Sequence, residues 1–547
     1  MLTYSITKRL CLSSGISSRH LRRLIHKEVR VRFAPSPTGF LHIGGLRTAL
    51  YNYLFARANN GKFIVRIEDT DQTRVVDGAT SSILSTLEWA GLHPQESPEK
   101  GGEFGPYIQS ERIKSYQAIA NKLVDSGAAY RCFCSQRRLA ILKKDQIKRK
   151  ETGRYDNRCR ELTDAEINSN LDQKVPYVIR LRLKDEFHQI EDALFGKVSH
   201  NAHFEGDPVI LKSDGFPTYH LANVVDDHMM QISHVIRGKE WLTSTTKHVQ
   251  IYEALGWEVP TFMHLPLLIN KDGSKLSKRQ GDVYVEESRA KGYSPCALLN
   301  FMAYYGSGFP NINFPVCASN HYELLNILEQ SFNPYRLVLS DAIVDFSKLD
   351  DFSTLLTKHK FESSDKKVMQ GVRKELYQLL EQKFEKELIF NQEEFTATEI
   401  DKYLNGILCS RKGHIVKLND LIKEEYDYLW CRPQPLISEE DTMFHEFLYD
   451  FIRYGLIHVL SRFLNTVTWE PLDVETIASY LNNHGREKGL HYPKVMKFLR
   501  KLLSGREQGP KIVDLLLMLN KRESLLRLDI ALSNIEREIE VEYLRKK

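Results

Sequence analysis

Three short clusters in this 547-residue chain have the residue types and spacing of chemistry. The first is Arg32–Gly45, RFAPSPTGFLHIGG. A loop rich in proline and glycine brings His42, then Gly44 and Gly45, to the start of a stretch with helical apolar spacing. Glycines let backbone approach a phosphate closely, and the N–H groups at a helix N-terminus attract anions. His42 would add a donor for charge developing at phosphorus. A tight turn with a packing histidine fits the same pattern. The second cluster is Lys275-Leu276-Ser277-Lys278-Arg279, behind the turn Asn270-Lys271-Asp272-Gly273. Its three cations in five residues would close over a polyphosphate and neutralise a departing pyrophosphate. A solvated basic loop has the same composition. The third is Cys132-x-Cys134 followed by Cys159. Zinc takes four tetrahedral ligands and the spacing offers three thiols, so buried metal-free thiols fit as well as a zinc site.

These residues need elements to position them. Val29–Arg32, running into Phe33, alternates β-branched and charged residues and predicts a strand. Leu46, Ala49, Leu50, Tyr53 and Leu54 then recur at the spacing of an amphipathic helix, which Asn59-Asn60-Gly61 stops. Lys62–Ile67 predicts a second strand with Glu68-Asp69-Thr70-Asp71 at its end. Strand, helix, strand is a βαβ unit and predicts a parallel sheet. The Gly/Pro-rich stretch 88–110 reads as the loop where the first half of that sheet is left. A helix at Tyr116–Leu123, a charged segment at 136–170 and strands at Tyr177–Leu183 and Val209–Lys212 follow. Val235–Arg237 and Leu265–Ile269 read as strands returning to the parallel sheet. From about 320 onward the pattern is mostly helical, as in Tyr492–Leu503 and Lys511–Leu519, and no internal repeat is evident.

Composition bounds the class. With 42% hydrophobic and 27% charged residues the chain is neither disordered nor collagen-like. Eight scattered cysteines are too few for a disulfide framework in so long a chain. No apolar run approaches the roughly 20 residues of a bilayer span, so no membrane role is expected. The net charge of +5 sits entirely in residues 1–28, where Lys8, Arg9, Arg19, Arg22, Arg23 and Lys27 face the single acid Glu28. Basic, Ser-rich and amphipathic through Leu21, Leu24 and Ile25, this leader has the composition of a mitochondrial transit peptide. A basic tail is the plainer alternative. The remaining body is formally neutral, so any RNA contact must use local basic patches.

Taken together, the HIGG and KLSKR clusters resemble the HIGH and KMSKS signatures of class I aminoacyl-tRNA synthetases, with Gly45 at the second His. The wider text (RFAPSPTGFLHIGG, FIVRIEDTD, GGEFGPYIQSER, FPTYHLANVVDDH, VIRGKEW and LSKRQGD) resembles the bacterial and organellar glutamyl-tRNA synthetase family from about residue 29 to about 530. The resemblance implies an α/β fold: a Rossmann-type parallel-sheet catalytic domain, an inserted α+β acceptor-binding domain and an all-α anticodon-binding region. The expected boundaries are 1–28 for the transit peptide, 29–110 and 221–275 for the two catalytic halves and 111–220 for the insertion. A stem-contact region with the KLSKR loop would span 276–370 and the helical region 371–547.

The resemblance also implies roles. Arg32 and Arg237 would meet the carboxylates of glutamate and Glu68 its ammonium, with Tyr219 and Asn223 completing the pocket. Arginine suits this work because its planar fork binds a carboxylate bidentately. Phe33, Ala34, Ser36, His220, Leu221 and Ala222 are carried over as glutamate-pocket residues. His42, Gly44, Gly45, Glu240, Lys275, Leu276, Ser277, Lys278 and Arg279 are carried over for ATP, with His42, Lys275 and Lys278 catalytic and Mg²⁺ on the phosphates. Tyr155, four residues before Cys159, would be the fourth zinc ligand if the insertion holds one. In the C-terminal third, Arg411, Lys412, Lys417, Arg500, Lys501 and Arg506 would meet RNA phosphates or simply face solvent. The implied partners are L-glutamate, tRNA(Glu) and, in some organellar members, tRNA(Gln), for a monomer working in the mitochondrial matrix.

Overall fold

The structure is a computed structural model. It describes residues 28–184, 187–201, 206–274, 276, 284–392, 395–433, 461–462, 464–466, 479–480, 483 and 492–546. The leader 1–27, and with it almost all of the expected transit peptide, lies outside the described residues. The chain divides into two compact units, Met1–Leu349 and Asp350–Lys547. That division falls inside the 276–370 stretch read from the sequence as one region.

In the first unit, β1 (Arg30–Phe33) is buried along its whole length, as suits a strand covered on both faces. It leads through the Pro35–Gly39 loop into helix α1 (Ile43–Ala58), which returns to β2 (Lys62–Val65). β1 and β2 pair in parallel from Arg30↔Lys62 to Phe33↔Val65. Helix α1 departs from the expected amphipathic pattern. Leu46, Leu50, Tyr51 and Leu54 are buried, but so are Arg47 and Asn52. Its far side is covered too, with the Tyr51 ring 5.2 Å from Phe332 and 6.0 Å from Phe309. A helix packed between layers needs no solvated face.

Helix α2 (Ile113–Asp125) precedes β3 (Ala129–Cys132) and β4 (Val178–Leu181). The hairpin β5 (Phe187–Asp192) and β6 (Gly196–Asn201) comes next, then β7 (Val209–Leu211). β3, β4 and β7 form a small antiparallel sheet of their own. The β5–β6 hairpin does not join them, although it lies within the 111–220 stretch. It extends the parallel sheet through Asp192↔Phe262. Helix α3 (Tyr219–Met229), β8 (His234–Gly238), helix α4 (Thr245–Leu255) and β9 (Thr261–Leu265) complete that sheet, in the order β2-β1-β8-β9-β5-β6.

The last strand of the sheet is therefore Thr261–Leu265, not Leu265–Ile269. Pro266, which has no N–H to give a ladder, ends it. Leu268–Ile269 (β10) instead pairs with Ala342–Ile343 (β11) in a separate two-stranded sheet. An apolar core of Tyr116, Leu123, Ile179, Ile210, Leu221 and Val225, among others, lies beneath α2, α3 and the small sheet.

The described elements of the second unit are helical, as the leucine spacing predicts. Lys366–Phe384, Ala397–Arg411, Tyr492–Ser504 and Ile512–Lys546 contribute Leu376, Leu380, Ile407, Leu502 and Leu516 to a core closed by Trp430. The last of these helices is kinked at Asn520 (φ 58°, ψ 178°). No described helix is long and apolar enough to cross a membrane.

Candidate active site

The ends of β1, β2 and β8 and the starts of α1 and α3 surround a cavity of about 700 Å³. An opening beyond the carboxyl ends of parallel strands is where such sheets bind ligands. At its phosphate-like end, His42 caps α1, its Nδ1 accepting from the Gly45 amide at 3.1 Å. With Nδ1 accepting, the neutral ring carries its proton on Nε2. The imidazole lies tightly over Gly44, where an added Cβ would sit 3.1 Å from the ring. At Gly45 a Cβ would come within 2.7 Å of Leu41. A side chain at either glycine would press on His42 or Leu41, and the lack of one leaves the helix N-terminus open to a ligand.

A buried charge network lies deeper. Arg32 donates to Asp227 through Nε at 3.0 Å and Nη2 at 3.2 Å. Arg66 reaches Asp227 at 2.8 Å and Glu68 at 3.0 Å. Arg112 donates to Asp226 at 2.7 Å, and Asn223 Nδ2 to Glu68 at 3.3 Å. Burial opposes the charge on Arg66, yet Asp227, Asp226 and Glu68 together hold its pKa well above the ordinary value. Burial likewise opposes ionisation of Asp227, but Arg32 and Arg66 prevail and its pKa is lowered. For Glu68 burial wins over Arg66 and Arg32, so its pKa is raised. Three arginines face three carboxylates here, and the group is formally neutral. An arriving ammonium beside Glu68 would bring a further cation and favour its charged form.

Arg237 is different. Its Nε donates to His264 Nε2 (3.1 Å), Nη1 to His248 Nδ1 (3.1 Å) and Nη2 to Thr245 Oγ1 (2.8 Å). Longer bonds run to Tyr219 Oη (3.2 Å) and the Trp241 carbonyl (3.4 Å). Burial and the neighbouring cations push His248 well below the ordinary histidine range; burial also lowers His264, against the pull of Asp192. Both rings are therefore neutral, and so is every hydrogen-bond partner of Arg237 among the described residues. Arg237 is 5% exposed, forms part of the cavity wall and touches no carboxylate; the acid behind it, Asp192, is reached only through His264.

Of the residues expected at the site, Arg32, Phe33, Ala34, Ser36, Glu68, Tyr219, Asn223 and Arg237 line this one cavity. His42, Gly44, Gly45, Glu240 and Leu276 line it too. Leu221 and Ala222 do not: they sit on the inner face of α3, fully buried in the apolar core. His220 is turned toward His248, with 3.2 Å between ring nitrogens. Lys275, Ser277, Lys278 and Arg279 lie outside the described residues. The sequence reading missed Asp227, which anchors Arg32, and Trp241, whose ring lies 4.1 Å from that of Tyr219. Asp226-Asp227 within the quoted FPTYHLANVVDDH was the signal for the first, since paired buried acids beside arginines demand partners.

In the small antiparallel sheet, Cys132, Cys134 and Cys159 bring their sulfurs within 4.8 Å of one another. The Tyr155 hydroxyl stands 3.2 Å from Cys132 Sγ and 3.5 Å from Cys134 Sγ. Hydrogen bonding from Cys159 draws the Cys132 thiol down to about 4. Three sulfurs and a phenol oxygen converging on one point fit the donor set of a four-coordinate zinc.

A parallel-sheet cleft with a glycine-flanked histidine at a helix N-terminus and a charge-sorted pocket beside it is the architecture of a class I aminoacyl-tRNA synthetase. Residues 28–331 match the family described as "tRNA synthetases class I (E and Q), catalytic domain", and residues 375–532 match "Anticodon binding domain". The chain is 38% identical to a glutamate–tRNA ligase of Alkaliphilus metalliredigens over 504 residues, covering 90% of this chain and 97% of that one. It is 38% identical to that of Clostridioides difficile over 519 residues, covering 93% and 99%. Among solved structures it resembles a glutamate tRNA ligase from Elizabethkingia meningosepticum in complex with its amino acid. There the TM-score is 0.75 at 32% identity, over 93% of this chain and 99% of that one. The chain belongs to the bacterial-type glutamate–tRNA ligase family of class I synthetases, which use ATP with Mg²⁺.

Proposed function

We propose that this chain activates L-glutamate with ATP and ligates it to tRNA(Glu) in the mitochondrial matrix, working as a monomer. One observation carries the substrate assignment: Arg237 meets no carboxylate directly, and its two longer bonds turn N–H groups toward the cavity wall, where a carboxylate would take them. The side-chain carboxylate of glutamate accepts two such bonds from one guanidinium, whereas the amide of glutamine offers one oxygen and turns N–H donors toward it. A neutral amide gains little from a facing guanidinium.

The chemistry needs positioning and charge stabilisation rather than an enzyme nucleophile. A carboxylate oxygen of glutamate attacks the α-phosphorus of ATP, and the bond to pyrophosphate breaks. His42 Nε2–H and the amides opening α1 would stabilise the oxygens of that phosphorus, with Lys275 and Lys278 carried over for the leaving pyrophosphate. Mg²⁺ bound with ATP supplies charge neutralisation on the phosphates. A terminal ribose hydroxyl of tRNA then attacks the glutamyl carbonyl and AMP leaves. Cys132, Cys134, Tyr155 and Cys159 would hold a zinc ion, which supplies a cross-link to the small sheet. The match of residues 375–532 to an anticodon-binding domain favours whole tRNA as substrate over a truncated role on a single tRNA base.

The mitochondrial address rests on the basic, acid-poor leader ahead of residue 28, where the family match begins. Charging assays with separate tRNA(Glu) and tRNA(Gln) transcripts and with glutamate or glutamine test the reaction. Glutamate on tRNA(Glu) is expected; glutamine alone would overturn the reading. Glutamate on tRNA(Gln) as well would extend the proposal to mischarging. Residues 1–28 fused to a fluorescent protein should enter isolated mitochondria; a fusion left outside would remove the address. Light scattering on the purified chain should give one chain per particle, and elemental analysis about one zinc per chain.

A further inference from the structure

Arg237 is held from behind, and the hold runs through His264 to an acid two strands along the sheet. β8 and β9 pair with Arg237↔His264 in register, so the two side chains are direct neighbours on one face. β5 meets β9 at Asp192↔Phe262, which sets Asp192 beside the strand carrying His264. His264 Nδ1–H donates to Asp192 Oδ2 at 2.6 Å, and its Nε2 accepts from Arg237 Nε at 3.1 Å. Asp192 and His264 are 1% and 0% exposed. The other Asp192 oxygen accepts the Leu194 and Phe195 amides at 3.0 and 2.9 Å, which fixes the carboxylate in the β5–β6 turn.

The bonds of Arg237 divide by side. Those to His264, His248 and Thr245 are buried and short, whereas those to Tyr219 and Trp241 are longer and reach the cavity wall. A substrate carboxylate would take the N–H groups now spent on the two longer bonds, provided the three rear bonds keep the fork aimed.

We infer that Asp192 and His264 form a positioning relay for Arg237: Asp192 fixes the His264 tautomer so that a lone pair, not a proton, faces the guanidinium. This rests on Arg237 receiving a substrate carboxylate. His264 is a positioning residue and does not touch the substrate. An imidazole with its proton on Nε2 would oppose the Arg237 Nε–H, turn the fork, and weaken the site for a carboxylate.

The test is a double-substitution cycle read as glutamate affinity by calorimetry and as KM against kcat in charging. In Asp192→Asn the amide oxygen keeps the turn, while the NH₂ meets His264 Nδ1 and forces the wrong tautomer. Glutamate Kd and KM should rise about 10- to 100-fold, with ATP KM within about twofold. In the His264→Gln background a side-chain carbonyl accepts from Arg237 whatever stands at 192. There the same Asp192→Asn change should cost less than about threefold. Equal cost in both backgrounds, or a fall in kcat with glutamate affinity intact, would reduce Asp192 to a turn residue and overturn the relay. Should Asp192→Asn fail to fold, His264→Gln against His264→Leu decides: near-wild-type affinity for the first and a loss of about tenfold or more for the second uphold it, and equal effects overturn it. A wild-type protein that binds no glutamate would sink the functional reading and the relay with it; one that binds it, with no rescue, sinks only the relay.

Discussion

Each compact unit buries an arginine, and the two are used in opposite ways. In the second unit Arg527 is 2% exposed, donates to Glu523 at 2.7 Å and gives three further N–H groups to the carbonyls of Tyr428, Leu503 and Cys431. Glu523 is fully buried and also accepts from Arg432 at 3.0 Å. That guanidinium is matched in charge and fastens segments around the Trp430 core. Arg237 is about as buried, yet it meets two imidazoles, two hydroxyls and one carbonyl, none of them charged. Burial alone therefore does not mark a site. The lack of a carboxylate in direct contact does, because it leaves the outward N–H groups of the guanidinium to an arriving anion.

Exchanging the two roles by mutation gives the largest effects. Arg237→Met should lower kcat/KM for glutamate about 10²- to 10³-fold, as removal of a buried charged contact does, while the unfolding midpoint stays within about 3 °C. Arg527→Met should do the reverse. It leaves Glu523 with Arg432 alone and strips three carbonyls of a donor, costs about 3–5 kcal/mol in denaturant unfolding of the second unit, and leaves glutamate affinity within about twofold. A destabilised Arg237→Met with intact affinity would break the comparison outright.

Acid gives a smaller, graded effect through three buried histidines of the first unit. His248, His264 and His234 are neutral because burial lowers them, His234 to about 4. Unfolded, they would take protons near 6.5, so the folded chain binds fewer protons below that pH. Stability is then full above about pH 6.5 and falls as pH drops, by at most about 1.4 kcal/mol per pH unit for each histidine. Glutamate KM should stay flat from pH 8 to about 6.5 and rise only in stronger acid, once a protonated ring confronts Arg237. A rise already at pH 7 in a steady-state titration would mean that the imidazoles are charged in the working protein, and the contrast between the two arginines would fail.

What the sequence made legible follows from how far each relation reaches. The βαβ start, the helix opening at His42 and the leucine-rich second unit are local patterns and are present, although that helix lacks the solvated face its spacing predicts. Residues drawn together by a motif, such as Arg32, Glu68 and Asn223, also meet in the cavity. The partners that tune them were out of reach. Asp227 lies 195 residues from Arg32, and Asp192 lies 72 residues from His264. No periodicity within a strand discloses a neighbour across the sheet. Asp192 was further hidden because its hairpin sits in sequence between strands of the small antiparallel sheet and pairs with the large one. The β9 shift has the same root: Thr261 and His264 look too polar for a central strand until His264 is seen to hold Arg237.

The smallest expected effect concerns the basic residues of the second unit, and it sharpens the comparison from the other side. Arg506 pairs with Asp427 at 2.7 Å, Lys412 with Glu362 at 3.3 Å, and Lys501 approaches Glu507 at 3.9 Å. Arg500 spends two N–H groups on the carbonyls of Pro510 and Glu507. These cations already have acceptors, and ion pairs this exposed are worth at most about 1 kcal/mol. Lys501→Ala should therefore change kcat/KM for tRNA by less than about fivefold and lower the slope of log affinity against log salt by no more than about one. A loss as large as that of Arg237→Met would show that a charge with a partner can matter as much as one without. Counter-charge would then no longer separate the working arginine from the structural one.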